Sequence, residues 1–179
     1  MAITEKGYTA TTIADVVRHA RVSKRTFYEH FEDKEACFLA AYEAASEETL
    51  RAIASAADPG LPWKERLQAA TLSYLHSLEA QPELTRTYLL EIHAAGSRAL
   101  KLRREVHQRF AEQLRELVQA ARAEHPQLRE LSPAMATALV GGINELVLVA
   151  VEKGCTGQLR ELADTAVVLV YAVLVAPTK

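Results

Sequence analysis

The sequence predicts an all-α protein, and three observations carry that prediction. Ala, Leu, Glu and Arg are among the commonest residues of the chain, and all are strong helix formers. Gly and Pro number only 7 and 6 in 179 residues, and most fall between stretches whose apolar residues recur at three- and four-residue steps. No stretch alternates apolar and polar residues convincingly, as a half-buried strand would. With 49% hydrophobic residues there is material for one compact unit, or for a small domain attached to a larger one.

Taken in order, Ile3 to Lys6 reads as the last turn of a helix, with Gly7 as its left-handed terminator. Residues 11–31 follow as two short helices. A threonine cap opens the first, which carries Ile13, Ala14, Val16 and Val17; Ala20-Arg21-Val22 forms the turn, and Ser23 caps the second. Asp33 caps a long connecting helix with Phe38, Tyr42, Ala45, Thr49, Leu50 and Ile53 on one face, broken at residues 58–62. Further helices are expected from Pro62 to about Ala80 and from Pro82 to Ala95. The next, capped by Gly96-Ser97, runs to about Glu124 before His125-Pro126 stops it. Ser132-Pro133 opens a helix ending at Gly154, and the last runs from about Gly157 to Ala176, apolar on more than one side.

The charge pattern points to a function. Between Asp15 and Glu29 lie Arg18, Arg21, Lys24 and Arg25 and no acid, although the chain as a whole is at −2. Any nucleic-acid contact must therefore come from this local patch. Two short helices, the second basic and hydroxyl-rich at its start, form the layout of a helix-turn-helix, whose second helix enters the major groove. Lys24 and Arg25 then occupy the base-reading first turn, while Thr12, Tyr28, His30 and Lys34 are placed for phosphates. On charge alone, a solvated basic turn fits equally well.

Ordered motifs add to this. Gly7-Tyr8, Thr11-Thr12-Ile13-Ala14, Ala20-Arg21-Val22-Ser23, Thr26-Phe27-Tyr28, His30-Phe31 and Asp33-Lys34-Glu35 resemble the N-terminal domain of the TetR family of transcriptional regulators. The resemblance implies that Ser23, Lys24, Arg25 and Thr26 present the groove-facing start of the recognition helix. It also implies that Tyr28 and His30 touch phosphates and that Lys34 meets the backbone at the next helix start. The expected division is a helix-turn-helix domain at 1–45 and a larger ligand-binding and dimerisation domain at 46–179. Two departures stand out. The family's first helix is usually longer, so this one reads as truncated, and Ile3 alone would cover little of a core built on Ile13, Val17, Phe27 and Phe31. Losing two or three buried side chains costs several kcal/mol at ~25 cal/mol per Å². Arg21 also occupies a turn position often held by glycine, where a left-handed backbone costs roughly 1 kcal/mol.

In the larger domain the resemblance implies a small-molecule inducer between helices, with Trp63, Tyr74, Tyr88, His107, Phe110, Met135 and Asn144 as inward candidates that could equally be core. Gly141-Gly142 and the apolar last helix suggest a homodimer through the last two helices, which suits a palindromic double-stranded DNA operator with half-sites ~34 Å apart. No catalytic motif, cofactor loop or metal-ligand spacing is present, and Cys37 and Cys155 are isolated. The longest apolar run, residues 166–176, is shorter than the ~20 residues of a membrane span. The expectation is a cytoplasmic DNA-binding regulator, a repressor relieved by its ligand and not an enzyme. The alternative is a dimeric small-molecule-binding or scaffolding protein that has lost specific DNA binding with its first helix.

Overall fold

The computed structural model describes residues 2–176, apart from the side chains of residues 2, 4 and 5; the expected end of the second domain, at 179, lies outside the described residues. The chain is helical throughout this range, with no strand among the described residues. A helix-turn-helix domain precedes a larger helical domain. Helix α1 (Ala2–Ala10) is kinked at Gly7, whose φ of 77° is the left-handed termination its sequence predicts. Helix α2 (Ile13–Ala20) opens on a capping box, in which the Thr12 hydroxyl accepts from the Asp15 amide and the Asp15 carboxylate accepts from the Thr12 amide. Ser23 and Asp33 cap α3 (Lys24–His30) and α4 (Lys34–Ala56) in the same manner, each side chain accepting an orphan backbone amide. Then come α5 (Trp63–Glu79), α6 (Pro82–Glu91), α7 (Ser97–Glu124), α8 (Pro133–Glu152) and α9 (Ala163–Val175).

Three boundaries differ from expectation. The helix predicted to reach Ala95 tightens after Glu91 into a 3-10 turn, Ile92–Ala95, which buries both end residues. Helix α7 has Gly96 (φ 97°) at its cap position, so Ser97 is the first helical residue and not the cap. The last helix begins at Ala163, because a 3-10 stretch, Thr156–Leu162, bends at Gln158. That bend lets Leu159 bury completely among Leu75, Val147 and Val151.

The short first helix is supported differently from expectation. Ile3 and Tyr8 do not join Val17 and Phe27; they pack with Phe38, Tyr88, Ile92, Ala95 and Ala99, drawn from α4, α6, α7 and the turn between the last two. Helix α1 therefore shares its core with the larger domain. Polar ties reinforce the joint. Glu91 at the end of α6 accepts the Tyr8 backbone N–H at the kink, and Lys6 donates to Asp15 at 2.7 Å. Beyond it, Arg98 on α7 pairs with Glu32, Asp33 and Glu35 around the start of α4. Arg109 pairs with Glu43 and Glu47 farther along α4.

Helices α5, α7, α8 and α9 enclose the main core around Leu67, Val118, Leu139, Val170 and Leu174. Buried Arg66 stitches the α4–α5 connection to α7, donating to the Pro59 and Leu61 carbonyls and to Glu124. Outside that core, α8 and α9 leave apolar surface uncovered: Val149 is 37% exposed, Val168 64%, Leu169 37% and Val175 46%. Among the described residues one helix, α8, is long and apolar enough to cross a membrane, by length and composition only. Only 28% of its most apolar window is buried within the chain.

Candidate nucleic-acid interface and ligand cavity

The turn between α2 and α3 fixes what α3 presents. Arg21 takes the left-handed conformation (φ 57°, ψ 39°), and its N–H closes on the Arg18 carbonyl while that of Val22 closes on Val17. The Ser23 hydroxyl accepts the Thr26 amide at 3.0 Å and lies 3.0 Å from the Thr26 hydroxyl, so both residues hold the start of α3. Phe27, the buried residue of α3, anchors it. Lys24, Arg25, Tyr28 and His30 are exposed on its other sides. Tyr28, 57% exposed, is steadied edge-on by Phe27 at 5.5 Å. Arg25 pairs along the helix with Glu29 at 3.1 Å, a solvent-screened contact that a phosphate or base could displace. Arg21 and Lys24 have no carboxylate partner among the described residues.

Two of the predicted contacts also hold structural positions. Thr12 is exposed, but its hydroxyl belongs to the α2 capping box. The Lys34 ammonium, expected at phosphate from sequence, donates to the Tyr8 and Thr11 carbonyls at 2.7 and 2.8 Å and covers the Tyr8 ring at 4.3 Å. It closes the end of α1, where carbonyls left over by the kink need a donor. Asp15, between Lys6, Arg18 and Thr12, is the anionic anchor of the domain. The Lys6 and Thr12 hydrogen bonds hold its carboxyl well below the usual carboxylate range.

A cavity of about 340 Å³ lies in the larger domain among α4, α5, α6, α7, α8 and α9. It brings together five of the predicted residues, Tyr74, Tyr88, His107, Phe110 and Asn144. Trp63 and Met135 are not among them. Trp63 stacks on Tyr171 (5.7 Å, 9° between planes) within the main core. Met135, 37% exposed, faces outward from the first turn of α8, whose cap receives its amide. Sequence reasoning missed Tyr42, Thr71, Arg103 and Gln113 in the cavity wall.

The polar groups of this wall fall into two sets. The hydroxyls of Ser46, Thr49, Thr71, Ser77 and Thr85 each donate to a backbone carbonyl at 2.8–3.0 Å and are satisfied. The Tyr88 hydroxyl and the Gln113 Oε1 are buried without a partner. Gln113 donates its Nε2 to the Leu50 carbonyl at 2.9 Å, which fixes the amide and leaves its oxygen as an acceptor. Asn144, 8% exposed, adds a further amide to this wall. Burial, with the Arg103 charge second, lowers the His107 pKa to about 4, so this imidazole is neutral at pH 7. Unpaired polar atoms around an otherwise apolar space are the mark of a site that receives a small molecule.

Residues 1–41 match the family described as bacterial regulatory proteins, tetR family. No curated protein matches the chain in sequence. Its fold resembles that of the fatty acid degradation regulator FadR from Bacillus halodurans, with a TM-score of 0.83 and 20% identity, covering 99% of this chain and 94% of that one. A second structure, the transcriptional regulator FadR from Bacillus subtilis in complex with stearoyl-CoA, gives 0.83 at 17% identity over 97% and 94%. The TetR-family transcriptional regulator PfmR from Thermus thermophilus gives 0.69 at 21% identity over 99% and 94%.

Proposed function

We propose that this chain, whose N-terminal domain is of the TetR family and whose whole length has the fold of such regulators, is a DNA-binding transcriptional repressor relieved by a small, largely apolar ligand. The observation that carries the reading is the outer face of α3. There Lys24 and Arg25 stand in the first turn, the exposed Tyr28 hydroxyl stands one turn on, and uncompensated Arg21 flanks the helix start. Lys24, Arg25 and Thr26 face base edges, and Tyr28 and His30 position the helix on phosphates. Residues 1–45 form the DNA-binding domain and 46–179 the ligand-binding and dimerisation domain. Two copies joined through α8 and α9 present two recognition helices to a palindrome. The ties between α1 and α6, and between α4 and α7, give the cavity a physical route to the spacing of those helices. A ligand that fits better when the helices are wrongly spaced then lowers operator affinity.

The test uses an operator obtained by selection from random duplexes. Arg25→Ala combined with Tyr28→Phe abolishes specific binding in gel shifts and leaves the dimer intact by light scattering. Undiminished shifts would refute the assignment of α3. The alternative, a dimeric small-molecule-binding or scaffolding protein without specific DNA binding, is favoured if no duplex is enriched and affinity does not fall with salt.

A further inference from the structure

Helix α7 carries a contrast that points to the ligand's chemistry. Arg98, Arg109 and Arg115 are each paired with carboxylates, and Arg122 bonds Gln119 and the Leu128 carbonyl. Arg103 and the exposed Arg104 have no carboxylate partner among the described residues, and of the two only Arg103 lines the cavity, as its sole Arg or Lys. Its surroundings do not compensate it: His107, one turn on, is neutral, and Tyr42 and Tyr88 keep their protons, their pKa values raised chiefly by burial. The Tyr88 hydroxyl is itself buried and unpartnered. Glu48, the one carboxylate in the lining, is exposed and lies nearly two turns from Tyr42 along α4. From Arg103 the α7 wall runs past His107 through Phe110, Gln113 and Leu114 to Leu117, about 21 Å at ~1.5 Å per residue, and beyond His107 it is apolar except for the Gln113 amide. A half-buried guanidinium that faces a cavity and has no ion-pair partner among the described residues favours an anion, because charge-assisted bonds gain most where water is scarce.

Building on the proposed ligand-relieved function, we propose that the cavity is polarised along its length. Arg103, whose charge reaches Tyr42 and His107, receives the anionic head of a long-chain amphiphile whose hydrocarbon extends toward Leu117. The anion could be the carboxylate of a free fatty acid or a phosphate of its coenzyme A ester, and the probes distinguish them. Calorimetry on the full chain compares palmitate, methyl palmitate and palmitoyl-CoA. The anionic probe that belongs in the site binds at least tenfold more tightly than the methyl ester. That advantage collapses to less than threefold in Arg103→Met and returns in Arg103→Lys. Equal binding of all three probes, or an Arg103→Met protein that keeps the preference, overturns the proposal, as does the binding of none. Circular dichroism on each variant establishes that it is folded. Operator release is followed separately by fluorescence anisotropy. Acid and ester binding alike while both release DNA defeats the polarised cavity and leaves the regulator reading standing. Arg103-dependent binding by a protein that never holds DNA does the reverse.

Discussion

Arg21 and Lys34 show how a single position can satisfy structure and surface together. A left-handed backbone costs Arg21 roughly 1 kcal/mol, and the two backbone bonds it closes hold α2 and α3 in register. Lys34 puts its ammonium on the carbonyls that end α1, so its loss would be felt first in folding. His107 allows a prediction with a definite sign. Its folded pKa of about 4 lies below the unfolded value of ~6.5, so as pH falls through this window the unfolded chain takes up a proton that the folded one refuses. Stability is therefore highest above pH 6.5 and declines toward pH 4, by on the order of 2 kcal/mol once solvent screening is allowed for. Urea unfolding at pH 7 and pH 5 measures it. His107→Leu should flatten this part of the profile, and an unchanged slope would show that other groups set it.

At the scale of elements, the joint between α1 and α6 is the feature the sequence conceals. Glu91 accepts the Tyr8 amide, and a Cβ on Gly7 would meet its carboxylate at 3.0 Å. Glu91→Ala leaves that amide without its partner and should cost about 1–3 kcal/mol. Faster hydrogen exchange at Tyr8, with the exchange of α8 unchanged, is the expected signature; uniform exchange would mean the joint is not local. Helix α7 is read differently on its two faces. Residues Leu100, His107, Phe110, Leu114, Leu117 and Val118 suggest a core stripe, and the structure gives the four from His107 to Leu117 to the cavity wall and Val118 to the core. The fully buried face is instead the smaller set Ala99, Val106, Ala111, Val118 and Ala121. Periodicity identifies a covered face, but it does not distinguish covering by protein from covering by a ligand space.

For the whole molecule, the uncovered apolar surface of α8 and α9 decides the assembly we propose. A chain that keeps Val149, Val168, Leu169 and Val175 accessible gains by burying them against a second copy. Nothing lies within 4 Å of a Cβ built on Gly141, so a partner helix can approach there. Val168→Glu with Leu169→Glu should convert a dimer to a monomer in sedimentation velocity. Operator binding should be lost with it, while ligand binding persists. A dimer that survives both charges would place the interface elsewhere.

Helix order, the caps at Ser23, Asp33 and Ser132, a threonine cap before α2, the Gly7 termination and the left-handed turn at Arg21 were all legible in the sequence, because each depends on residues within a few positions of one another; that Thr12 is the capping threonine was not, since from sequence it is placed at phosphate. The basic, exposed start of α3 was legible for the same reason, and five of the seven residues placed on inward faces line the cavity. What crosses the chain was not. That Lys34 would close α1, that Trp63 would stack on Tyr171, that Arg103 would face a cavity without a counter-ion and that Glu91 would hold the Tyr8 amide are matters of which helices become neighbours. Local spacing determined which elements form and which sides they hide. Only tertiary packing decided what stands opposite each side, because the energy of burying a charge or an amide depends on partners brought from dozens of residues away.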